Sequence, residues 1–233
     1  MTVHVGPLAA DQLSAFRLAA AAAETYTAAV RDAVRAKVVR GGKLDRVALD
    51  QEQHIVHGYA WIATYAETLK QVVAWAERLE TEGGFGEVEQ LLAELLVAEY
   101  GAQLAGGVPM TQLEMIRPSD FGLSPPPVHV STSAATRARL ATLLNEAQGK
   151  ATLENTGLES DYELVRDQFR KYADAKVVPF AHEWHLKDEL IPLSVLGELA
   201  DMGVFGLTLP EEYGGAGMGK IAMCVVLSLI HIS

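Results

Sequence analysis

His54 and His57, three residues apart in "HIVHGYAW", are the pair in this sequence best suited to holding a metal. On a helix that spacing turns both imidazoles to one side, and Glu52 or Glu67 would add a carboxylate. A zinc or iron centre needs a third ligand at suitable geometry, which the spacing does not supply. Trp61 and Tyr65 continue the same face, so an aromatic seam with two hydrogen-bonded histidines is the better reading. Gly101, Gly106 and Gly107 do not make a phosphate loop, because no strand precedes them and no Lys-Ser/Thr follows. They read as glycines that end a helix. Cys224 stands in an apolar, helix-like run and reads as an inert core thiol. Glu211 and Glu212 are adjacent carboxylates in a turn, expected to be solvated rather than catalytic. No Ser-His-Asp arrangement is legible. The residues by themselves therefore assign no catalytic, cofactor-binding or metal-ligating position.

The elements that carry these residues are helical. From Leu8 to Arg40 the chain is rich in Ala and free of Gly and Pro. Leu13, Phe16, Ala20 and Ala23 share one face, and Gly41-Gly42 is the stop. Asp50 fits an N-cap, with Gln53 reaching back, for a helix to about Glu80. A third helix spans about Glu87 to Ala105 with an apolar stripe of Leu91, Leu92, Leu95, Leu96 and Ala98. Three such helices make a small bundle, closed by a partly helical return over 108–123. The three prolines of "LSPPPVHVS" mark a stiff linker, followed by a short helix from Ala134 to Gln148 and the polar loop "GKATLENTGLES". A second unit opens with the capping-box pattern Ser160–Glu163, and Tyr162, Val165, Phe169 and Tyr172 follow along one face. Pro179 must break that helix. Pro192 suits the start of another, with Leu193, Leu196, Leu199 and Ala200 inward and Gly203 as the stop. The expected fold class is all-α. Its segments are an accessory bundle over 1–122, a linker with a short helix over 123–159, and a helical unit over 160–226.

A net charge of -11 over 233 residues excludes the clustered cations of a nucleic-acid binder and disfavours an anionic membrane surface. A single cysteine points to a reducing compartment, and "MTVHVGPLAADQ" lacks the features of a signal peptide. The longest apolar run, Ile221 to Ile232, is too short to span a bilayer. The expected location is the cytoplasm.

The stretch "IPLSVLGELADMGVFGLTLPEEYGGAGMGKIAMCVV", with "VRDQFRKYADAKVVPFAHEWHLKDELIP" before it, resembles the N-terminal helical domain of the acyl-CoA dehydrogenases. The likeness covers about Ser160 to Val226, an incomplete copy of that domain. The long helical extension carrying "DQEQHIVHGYAWIATYAETLKQ" is similar to the one in the branch that oxidises (2S)-methylsuccinyl-CoA, in the ethylmalonyl-CoA route. The resemblance implies FAD as cofactor, an acyl-CoA substrate, an electron-transferring flavoprotein as electron acceptor, and a homo-oligomer. It implies a glutamate that takes the α-proton while the β-hydrogen leaves as hydride to the flavin. In the family those residues lie in a β-domain and a C-terminal bundle, so no residue here is expected to be catalytic, and the chain alone is expected to be inactive.

The tail "VVLSLIHIS" alternates like a strand. Its last seven residues are what CTG TCT CTT ATA CAC ATC TC encodes, which resembles a sequencing-library adapter, so 227–233 are expected to be an artefact. Two other readings stay open. One is a non-enzymatic acidic helical module that binds a protein partner, and the other is a small metalloprotein using His54 and His57.

Overall fold

The structure, a computed structural model, describes residues 8–147 and 156–231, with side chains from 11 to 147 and from 156 to 229. The chain divides into two compact units, 1–157 and 158–233. Gln148, most of "GKATLENTGLES", the first seven residues and the last two lie outside the described residues.

In the first unit α1 (Leu8–Val38), α3 (Gln53–Glu82) and α4 (Glu87–Gly106) carry the core. Helices α1 and α3 run antiparallel, as three ion pairs along their length record: Arg17–Glu77 at 2.6 Å, Glu24–Lys70 at 3.5 Å and Lys37–Glu52 at 3.3 Å. Leu13, Phe16, Ala20 and Ala23 are buried as the spacing predicts, and the small alanines let α1 lie close to its neighbours. Between α1 and α3 the sequence reading missed a hairpin. Strands β1 (Val39–Arg40) and β2 (Lys43–Leu44) pair antiparallel about Gly41 and Gly42, whose φ of 59° and 78° a side chain would oppose. It also placed the cap wrongly. Asp45 caps the short α2 (Arg46–Gln51), its Oδ1 accepting from Val47 N and Ala48 N, while Asp50 lies inside that helix.

Helix α4 corrects a second expectation. Its buried face is Ala93, Val97, Ala98, Gly101 and Leu104; Leu91, Leu92 and Leu95 are only half-buried and Leu96 is exposed. Strands β3 (Val108–Pro109) and β4 (Met115–Ile116) form a second hairpin, followed by a 3-10 turn at Pro118–Phe121. Helix α5 (Ala134–Glu146), capped by the Ser133 hydroxyl, packs beside α4.

The second unit is smaller. Helices α6 (Ser160–Lys176) and α7 (Val178–Leu186) meet at Val177 because Pro179, in the first turn of α7, has no N–H to continue α6. Glu159, not a Ser160 capping box, stands at the N-cap of α6 and makes no side-chain cap bond. Helix α8 (Leu193–Asp201) turns only Leu199 fully inward; Leu193 is 83% exposed, and Leu196 and Ala200 are exposed too. Helix α9 (Gly219–His231) takes in the described part of the tail expected to be a strand, burying Ala222, Val225, Val226 and Leu229. Apart from the two hairpins, the described elements of both units are helical, which is the all-α class.

Candidate functional site

Helix α3 brings His57 into an aromatic seam, as its spacing predicts, but His54 does not join it. Trp61 Nε1 donates to His57 Nε2 at 2.9 Å, so that nitrogen is already engaged. Trp61 meets Tyr65 edge to face, Tyr65 lies 4.5 Å from Tyr100 between ring centroids, and Tyr65 Oη donates to Gln103 Oε1 at 2.7 Å. Burial, then the neighbouring Tyr100, pushes the Tyr65 phenol above its usual range. His54 Nε2 points instead toward Asp120, 4.0 Å away. Glu52 is drawn to Lys37 and Glu67 to Lys70 and Gln71, so neither joins the histidines. Beside them lies an open cleft of about 600 Å³, lined by Asp50, Gln53, His54, His57 and Glu114 among others. Among the described residues no group of three or more His, Cys, Asp or Glu could hold a metal.

Other sequence-named positions fall elsewhere. Gly101 lies inside α4, not at its end, against the side chain of Val128, so the chain after the proline run lies directly on the helix. Gly106 and Gly107 do end α4. Cys224 is exposed on α9, contrary to the core position its apolar neighbours suggested; the 3.6-residue period buries Val225 and Val226 instead. Glu211 and Glu212 are exposed in a 3-10 turn, as expected.

That turn belongs to the most specific piece of backbone in the second unit. Residues 206–209 and 216–218 are laced together: Ala216 N donates to Gly206 O, Met218 N to Leu207 O and Gly217 N to Leu209 O, each at 2.9 Å. Gly214 closes the turn with φ 80°, and a Cβ on Gly215 would collide with the backbone of Leu209. The loop therefore needs both glycines of "LPEEYGG" for different reasons. It holds Phe205, Leu209 and Tyr213 out toward solvent, and Tyr162 Oη reaches back to Met218 O at 3.4 Å.

This looped segment lies within the part of the chain, residues 159–231, that matches the family described as "Acyl-CoA dehydrogenase, N-terminal domain". Residues 159–231 are thus similar to an acyl-CoA dehydrogenase N-terminal domain. A (2S)-methylsuccinyl-CoA dehydrogenase of Cereibacter sphaeroides is 44% identical over 228 residues, 94% of this chain and 42% of the relative. A glutaryl-CoA dehydrogenase of Desulfococcus multivorans is 31% identical over 71 residues, 30% of this chain and 18% of its own. An isobutyryl-CoA dehydrogenase of Dictyostelium discoideum is 28% identical over 76 residues, 33% of this chain and 18% of its own. The chain thus spans less than half the length of each of these relatives.

For the flavin that such a domain implies, the fit is poor within these residues. An isoalloxazine ring with its ribityl and diphosphate chain needs inward-facing donors, and among the described side chains of residues 159–229 every buried one is apolar. Residues 159–231 instead show apolar side chains to solvent, Leu190 at 92% exposure and Leu193, Phe205 and Tyr213 exposed as well. No helix among the described residues is long and apolar enough to cross a membrane.

Proposed function

We propose that this chain is the N-terminal part of a flavin-dependent acyl-CoA dehydrogenase that oxidises (2S)-methylsuccinyl-CoA to the corresponding enoyl-CoA. One observation carries the substrate assignment. The glutaryl and isobutyryl relatives align over 71 and 76 residues, about the span of the N-terminal domain, whereas the methylsuccinyl relative aligns over 228 and so includes the accessory bundle. An accessory unit shared at that identity supports a shared protein rather than a shared domain. FAD as cofactor, an electron-transferring flavoprotein as acceptor, assembly as a homo-oligomer and a cytoplasmic location belong to the same proposal.

Within it, residues 158–231 are scaffold. They present an apolar surface without donors aimed at a cofactor, so no step of the oxidation is assigned to them, and the 233-residue chain alone is expected to be colourless and inactive. The test is to sequence the source locus across codon 226 and to purify the product of whatever reading frame is found. A yellow protein whose flavin bleaches on adding (2S)-methylsuccinyl-CoA, and not glutaryl-CoA, supports the proposal. A colourless product, or bleaching by glutaryl-CoA alone, rejects it.

A further inference from the structure

We propose that α5 is a strap anchored at both ends, which lifts from α4 as one unit while the rest of the bundle stays folded. Its hold is shallow and polar. Of its thirteen residues only Leu140 is buried, so no apolar seam fixes it in the way one fixes α1 to α3. Among the described residues the ties from α5 to α4 are polar. Arg139 forks onto Glu87 through Nε and Nη2 at 2.7 and 2.8 Å, Arg137 pairs with Glu99, and Thr136 Oγ1 donates to Glu94 Oε1 at 3.0 Å. Glu87 and Glu99 lie toward opposite ends of α4, so the two arginines brace α5 across it. All four charged side chains are about half exposed, which leaves both pairs open to screening by salt.

The chain on either side of α5 is held separately. Before it, Val128 sits against Gly101, where α4 has no side chain to keep it away. After it, the carbonyl of Gly157 accepts from Arg78 Nε at 3.0 Å, and the residue lies against Trp75 and Leu79 of α3. These two anchors do not depend on the arginines of α5. With α5 lifted, the chain would still be held at Val128 and at Gly157, so no terminus is freed. Regions with few buried apolar contacts and exposed polar ties open at low free energy, and α5 has both features while α3 and α4 each bury several apolar side chains.

Hydrogen exchange of the whole 233-residue chain, followed by mass spectrometry at about 0.02 and 0.5 M NaCl, tests the strap, the two salts bracketing strong and weak screening. Amides across 137–143 should exchange well before those of α3 and α4, the middle of the helix together with its ends, and faster at the higher salt. Arg137→Gln with Arg139→Gln should speed exchange in α5 on the order of tenfold at low salt and remove the salt response. Lys70→Gln, on the α1–α3 face, should leave α5 unchanged. Exchange of α5 only in step with α4 would overturn the strap, as would fraying that spares residues 139–143. An α5 indifferent to salt in the unaltered protein would overturn it as well.

Discussion

Tyr26 is a residue whose chemistry is decided by what it lacks. Its ring is in the α1 core, 6% exposed, and its hydroxyl has no hydrogen-bond partner among the described residues. Burial first, and the carboxylate of Asp120 second, push its phenol from 10.0 up to about 12. Because the folded state disfavours the phenolate, this contribution to stability is fully present below pH 10 and is lost as pH rises toward 12. Tyr26→Phe should therefore be neutral or stabilising by up to about 1 kcal/mol at pH 7, since it removes a buried unpaired hydroxyl. It should also resist unfolding between pH 10 and 12 better than the unaltered protein, and urea titrations at pH 7 and 11 read both effects. Two glycines in the second unit make a sharper pair. Gly215→Ala drives a Cβ into the Leu209 backbone, which cannot step aside, and should cost about 2 kcal/mol or more. Gly197, inside α8 with open space where its Cβ would stand, should tolerate Ala with a gain of roughly 0.5–1 kcal/mol. Equal effects of the two in urea unfolding would remove the steric reading of the "YGG" loop.

At the scale of elements, the cap of α2 should yield to acid only once pH has fallen below the ordinary carboxylate range. Backbone bonds from Ala48 and Val47, helped by Arg40, hold the Asp45 carboxyl below its usual range. The fold gains from this carboxylate above the ordinary carboxylate pKa and loses that gain as pH falls through the depressed one. Asp45→Asn keeps an acceptor oxygen at any pH, so the amide NMR shifts of Val47 and Ala48 should move on acidification only in the unaltered protein. The same residue shows what the sequence made legible. Asp45 and Asp50 both fit an N-cap by type, and the choice falls to Asp45 because the Gly41-Gly42 turn brings the chain back one residue before it. Long helices with a clear period, α1 above all, could be read directly. In α4 and α8 the leucines suggested a buried face, but packing took the small residues of α4 and left most of α8 outward. Helix type is local, whereas the choice of buried side depends on neighbours that periodicity does not specify. The seam of His57, Trp61 and Tyr65 was legible because i, i+4 spacing alone sets it, whereas His54, three residues before His57, turns to Asp120. The contact of Val128 with Gly101 was not, since it joins residues far apart in sequence.

At the scale of the whole chain, the two units differ in how much holds them together. Among the described residues the first buries a contiguous set of twenty-five apolar side chains and the second a set of six. At roughly 1.5–3 kcal/mol for each large apolar side chain buried, the second core has little to set against the entropy of its own ordering. Its exposed leucines and aromatics add nothing to it. Heating should therefore give two transitions, residues 158–231 first. Trp184 lies in the second unit, stacked on Phe180, while Trp61 and Trp75 lie in the first, so fluorescence can assign the steps. In Trp184→Phe the earlier step should vanish from fluorescence yet persist in circular dichroism, with the later step unchanged in both. A hydrophobic dye such as ANS should bind before either step, drawn by exposed apolar side chains such as Leu190, Leu193 and Phe205. One transition, coincident by both probes, would mean that the small unit borrows its stability from the large one, and the scaffold role proposed for it would then have to include the bundle.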